Sequence, residues 1–145
     1  MVKRKRVRVM KIVRLSPLAI LALLIGQTAT ADVVRHATIP ASLWGTWGLN
    51  LDDCNNADKI IVLSGKGRDS SEMKCTVDWV SETPGARGSI FSARLRCRRT
   101  ANGSDNTIAN VILVPTDANQ VSVGPDFSSL KSYQRCAANT PAISR

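Results

Sequence analysis

From residue 44 onward, short runs rich in Val, Ile, Leu and Trp are separated by turn clusters, and some of these runs alternate apolar with polar residues, the two-residue period of half-buried β-strands. Seven runs stand out: 44–51, 59–63, 72–81, 89–98, 106–114, 120–123 and 130–136. Between them lie turn-favouring sequences, among them Ser64-Gly65-Lys66-Gly67-Arg68, Pro84-Gly85, Asn102-Gly103-Ser104 and Gly124-Pro125-Asp126. No stretch keeps a helical period, and a short helical turn over 39–43 is the one exception allowed. Many short strands joined by brief turns predict an all-β fold, an antiparallel meander of about seven or eight strands. Closure removes the exposed edges of such a meander, so a closed or partly closed barrel is preferred to a sandwich. A barrel of this size is filled by its own side chains or holds one small ligand.

The same alternation bears on the cysteines. Cys54, Cys75, Cys97 and Cys136 are spaced by 21, 22 and 39 residues, without a C-x-x-C pair and with His36 as the single histidine. An even count in an exported chain reads as two disulfides, and this spacing does not suit a zinc site. In Met73-Lys74-Cys75-Thr76-Val77-Asp78-Trp79 and Phe91-Ser92-Ala93-Arg94-Leu95-Arg96-Cys97 the odd positions are apolar. Both cysteines therefore face the core side of their strands, nearly opposite each other in a hairpin. Cys75 with Cys97, leaving Cys54 with Cys136, is the favoured pairing; Cys54 with Cys75 and Cys97 with Cys136 is the alternative. The favoured second bridge would tie the first strand to the last.

Charge changes the picture less than its total suggests. The chain carries +9, but seven of its 20 basic residues precede residue 15 and all 11 acidic residues lie from Asp32 onward. Residues 32–145 hold 13 basic against 11 acidic residues, a net charge of +2. The basic start is followed by the apolar run LSPLAILALLI, shorter than a membrane span requires, and then by Ala29-Thr30-Ala31. These are the three parts of a secretory signal peptide over residues 1–31, with Met1 or Met10 as the start. The expected product is periplasmic or extracellular, with no stable membrane anchor after processing. It has an N-terminal arm over 32–40 and a single β domain with two disulfides over 41–145.

Candidate chemistry is sparse. Arg94, Arg96 and Arg98 fall on the polar phase of their strand and form a stripe suited to an acidic protein surface or an anionic small ligand. A solvated strand face that discourages edge pairing accounts for the same residues without a partner. Few aromatics accompany the arginines, which argues against nucleic acid. Trp47, Trp79 and Phe91 are expected to fill the core or line a small cavity, with Trp47 and Trp79 the aromatic candidates for ligand or partner contact. Asp52-Asp53-Cys54-Asn55-Asn56-Ala57-Asp58 is rich in oxygens but lacks the order of a calcium loop. No metal and no cofactor is expected. Ser64-Gly65-Lys66-Gly67-Arg68 lacks the spacing of a P-loop, and Asn102-Gly103-Ser104 fits a glycosylation sequon but is sufficiently explained as a hairpin turn. A Ser-His-Asp system would need His36, which lies in the arm, a poor place to hold a base in register.

The pattern Ile39-Pro40-x-x-Leu43-x-Gly45-x-Trp47, Cys54, Glu72-x-x-Cys75-x-Val77, Cys97, Tyr133-x-Arg135-Cys136 resembles a group of small exported bacterial proteins of unknown function. It brings no activity with it. Gly45-Thr46-Trp47 also resembles the G-x-W that opens the first strand of calycin (lipocalin-like) barrels. That resemblance implies a tryptophan plugging the closed end of the barrel, and its small exported members include inhibitors of bacterial metalloproteases. The expectation is a non-enzymatic binding or inhibitory module, with a small-ligand carrier or a minor periplasmic hydrolase as alternatives.

Overall fold

A strand with one apolar face buries that face only against others like it, and eight such strands can do so by curling into a ring. The computed structural model describes residues 33–101, 103 and 106–137. The expected leader, residues 1–31, lies outside the described residues, as do Asn102 and Ser104 of the expected turn. Nine strands are formed: β1 (Val34–His36), β2 (Gly45–Gly48), β3 (Ile60–Ser64), β4 (Gly67–Asp69), β5 (Met73–Gly85), β6 (Gly88–Arg99), β7 (Thr107–Asp117), β8 (Gln120–Gly124) and β9 (Lys131–Arg135). From β2 to β9 each strand pairs antiparallel with the next, and β9 returns to β2 through Trp47↔Arg135 and Gly48↔Gln134. The result is a closed, eight-stranded, up-and-down barrel. β1 lies outside this ring order and pairs with residues 80–82 of β5, along the edge that β4 uses at 74–76.

The interior is packed rather than hollow. Ile39, Leu43, Trp47, Leu63, Val80, Ala93, Leu95, Leu113 and Val121 are each at most 2% exposed. Ile39 and Leu43 come from the segment that enters β2. That segment contains a 3-10 turn at Ala41–Leu43, as the sequence allows. Two further 3-10 turns, Asp52–Asn55 and Phe127–Ser129, occupy loops that carry no helical period.

Two expectations are corrected. Ser64-Gly65-Lys66-Gly67-Arg68 reads as a hairpin turn, and the chain does turn at Gly65-Lys66, but Gly67 and Arg68 already belong to β4, whose backbone packs so close to β5 that a Cβ on Gly67 would meet the Cys75 carbonyl oxygen at 1.8 Å. The glycine that marks a turn is there for close approach of two strands. The second correction concerns Trp79, expected to face the core. The register of β5 with β6 shifts between Val77↔Leu95 and Trp79↔Arg94, so Asp78 is an extra residue, a β-bulge. Before it the odd positions of β5 face inward, and after it the even ones do. Val80 is therefore buried, while Trp79 is half-buried on the outer face with the Arg35 guanidinium 4.9 Å from its ring centroid.

Both disulfides take the favoured pairing. Cys75 and Cys97 are register partners on β5 and β6, with Cα atoms 4.0 Å apart, and Cys54 joins Cys136 with Cα atoms 5.6 Å apart. The second bridge packs with Ile60 in a small cluster of its own, separate from the main core. By loop entropy the two bridges contribute about 3 and about 4 to 5 kcal/mol respectively. Two such bridges point to an oxidising compartment. Among the described residues no helix is long and apolar enough to cross a membrane.

The seam between β2 and β9 is held by Arg135. Its guanidinium lies over the Trp47 ring, 4.1 Å from the centroid. It donates to the carbonyl oxygens of Trp44 at 2.6 Å, Ser42 at 2.8 Å and Ala118 at 2.8 Å. The Trp47 indole N–H in turn donates to the Leu43 carbonyl at 3.0 Å. Gly45 has φ 137°, and a Cβ there would stand 2.9 Å from Arg135 Nη1. Both the backbone angle and the space demand glycine, so Gly45→Ala should cost more than about 1 kcal/mol. Urea unfolding with the disulfides intact measures it, and an unchanged midpoint would show that neither the backbone angle nor Arg135 demands glycine at this position.

Candidate functional site

The longest strands, β5 and β6, present the most chemistry, because register places their outward residues side by side. Lys74 stands opposite Arg98, Thr76 opposite Arg96 and Trp79 opposite Arg94. Arg94, Arg96 and Arg98 are exposed on alternate positions, as expected of a stripe. The structure adds Lys74 to them and brings Arg35 in from β1 beside Trp79. Arg96 directs Nε and Nη2 to one oxygen of Asp78, at 2.8 and 2.7 Å. Asp69 stands across from Lys74 on β4. Arg94 and Arg98 make no ion pair among the described residues. A shallow recess of about 270 Å³ lies between Lys74, Thr76, Arg96, Arg98 and Asn106. Ile108, 52% exposed, lies next to Arg96 on β7 and adds an apolar contact. Trp47 lies apart from this face, fully buried, and its task is to fill the barrel beneath Arg135.

At the far end of β5, the one histidine joins β1 to the barrel. His36 Nε2 donates to Glu82 Oε2 at 2.7 Å, and Ser89 Oγ donates to the other carboxylate oxygen. The carboxylate stands between the hydroxyl and the imidazole, so Ser89 is not activated by His36 and the group is not a nucleophile–base pair. What the arrangement does is hold Glu82 ionised below its ordinary value of 4.5, through the hydrogen bond from Ser89 first and that from His36 second.

A second cationic feature lies inside the wall. Arg68 pairs across β4 with Leu63 and Cys75, both buried, so its side chain points inward. Its Nε is buried and has no hydrogen-bond partner among the described residues. Leaving such a donor unmet costs about 1–3 kcal/mol, more when charged. Arg68 borders a recess of about 310 Å³ whose other walls include Ala109, Val111, Val123, Lys131 and Tyr133. Sequence reasoning passed over Arg68 because a three-residue strand has no alternation to reveal its phase. Lys74 was within reach, since the Cys75–Cys97 pairing already sets it opposite Arg98.

The oxygen-rich loop is occupied by its own protein. The Asp53 carboxylate, on a side chain 9% exposed, takes Lys59 Nζ at 3.1 Å, and the Asp53 N–H donates to Asn50 Oδ1. Among the described residues no three His, Cys, Asp or Glu side chains gather where a metal ion could be held. The chain matches no protein-family model, no curated protein and no solved structure.

Because the folded pKa of Glu82 lies below its ordinary value, the stability it supplies is complete above that value and is lost as pH falls through the folded pKa. Hydrogen-exchange protection of Val34–His36 should therefore fall on acidification below pH 4.5 sooner than that of β7, and Glu82→Gln should abolish the difference. Equal loss in β1 and β7 would show that Glu82 does not hold β1.

Proposed function

We propose that the protein is an exported, non-enzymatic binding module, periplasmic or extracellular, that docks an acidic protein surface through the outer face of β5 and β6. The observation that carries this reading is the register-aligned group Lys74, Arg94, Arg96 and Arg98 flanking an outward tryptophan on the two longest strands. Arginine and tryptophan are the residues most enriched where binding energy concentrates at interfaces, and unpaired cations steer an acidic partner. The face is stiff, being built on two long paired strands joined by a buried disulfide, so little order has to be imposed on binding. The packed centre of the barrel, at Trp47, Leu95, Leu113 and Val121, favours contact through the outside over carriage of a large ligand along the barrel axis.

The likeness to calycin barrels is supported by Trp47, which fills the end of the barrel where β2 begins. The export reading, resting on the leader-like residues 1–31, agrees with two disulfides in the folded part.

The test is capture of partners from a periplasmic extract by the disulfide-bonded protein and by a variant carrying Arg94→Ala, Arg96→Ala and Arg98→Ala together. The wild type should capture an acidic protein at low salt and release it as salt rises, with the variant retaining less than about a tenth of it. Equal capture by both proteins would remove the β5–β6 face from the proposal.

A further inference from the structure

The recess beside Arg68 is independent of the β5–β6 face. We propose that it binds a small organic carboxylate, with the acid paired to the Arg68 guanidinium and an apolar body resting on Val111, Val123 and the Tyr133 ring.

Three observations lead there. The first is the side chain itself: arginine is rarely turned into a barrel interior unless it is paired, and Arg68 Nε is buried with no partner among the described residues. The second is the surroundings. Lys131 is a second cation on the wall, and no acidic side chain lines the recess. Asn110 and Ser129 are the neutral polar groups of a wall that is otherwise apolar, so two cations with no carboxylate beside them suit an anion. The third is access: β8 stops at Gly124, opposite Ile112, so residues 107–111 of β7 have no strand partner on that edge. The recess lies where the wall is incomplete, and a ligand reaches Arg68 there without displacing the packed core.

Size and lining narrow the ligand further. A volume of about 310 Å³ equals about ten water molecules at liquid density, enough for a small aromatic or branched acid and too little for a long chain. Ala109, Val111 and Val123 offer a body-sized apolar wall, which inorganic phosphate or sulfate would leave unused. Lys131, also on the wall, offers the second carboxylate oxygen a donor.

The test is calorimetric titration of the full, disulfide-bonded chain with 1-naphthoate, with the neutral naphthalene-1-carboxamide and with inorganic phosphate. Naphthoate should saturate a single site, with the carboxamide and phosphate each at least about tenfold weaker, and Arg68→Met should weaken naphthoate by at least about tenfold. Arg87→Met, in the exposed β5–β6 turn, should bind naphthoate as the wild type does. Arg68→Met should also keep or raise the thermal midpoint of the empty protein, since it replaces the buried, unmet Nε donor with an apolar group. Naphthoate binding unchanged by Arg68→Met, carboxamide binding equal to naphthoate, or no saturable binding would each overturn the proposal. If Arg68→Met does not fold, the three probes on the wild type decide it, together with NMR shifts at Val111, Val123 and Tyr133. Shifts confined to other residues count against it.

Discussion

One guanidinium holds the barrel shut. Arg135 stands on the inward phase of the last strand and meets three separate parts of the chain: the turn before β2, the β7–β8 turn and the Trp47 ring. An arginine in that place is tolerable because carbonyl oxygens and an aromatic face take up its donors and its charge. Its demands spread outward. Gly45 has to be glycine, Trp47 has to be flat and broad enough to lie beneath it, and the next residue, Cys136, is delivered within reach of Cys54. Stack and disulfide then secure the same seam, one from inside the wall and one from outside. This gives G-x-W a physical meaning in this chain, in which glycine makes room for the arginine and tryptophan supports it.

The long elements of the fold were legible because apolar, β-branched runs stand between turn clusters. Those runs located β2, β3 and β5 to β9, and the inward phase of Cys75 and Cys97 favoured pairing them and leaving Cys54 to Cys136. What stayed hidden was too short or broke the period. β1 and β4 are three residues each, too few for alternation to be counted. The bulge at Asp78 reverses the phase of β5 in the middle of a run, so reading on past it places Trp79 on the wrong face. The stripe of Arg94, Arg96 and Arg98 survived because β6 keeps its phase from Phe91 to Cys97. Arg68 stayed hidden because the glycines around it announce a turn.

Three arginines in one small barrel show how context decides what the same side chain does. Arg135 is satisfied from every side by backbone and ring, and its role is structural. Arg96 is exposed and already shares Asp78, so on its own it adds little to stability. Arg68 is turned inward among Leu63 and Cys75, and its buried Nε finds no acceptor among the described residues. A protein with a stable frame can carry one unmet donor, and the closed seam and two cross-links supply that frame here.

The outer face carries a related tension. Lys74 and Arg98 are like charges directly opposite each other, an arrangement that weakens an antiparallel pair. Immediately beside them Cys75 is bonded to Cys97, so the two strands cannot part at the point where the cations repel. At the other end of the same strand, Glu82 is tied to His36 and Ser89, which binds β1 along β5. The most strongly charged stretch of the sheet is thus restrained covalently at one end and by an ionised carboxylate at the other. Asp69 opposite Lys74 and Asp78 paired with Arg96 offset part of that charge, and Arg94 and Arg98 keep theirs on the outer face.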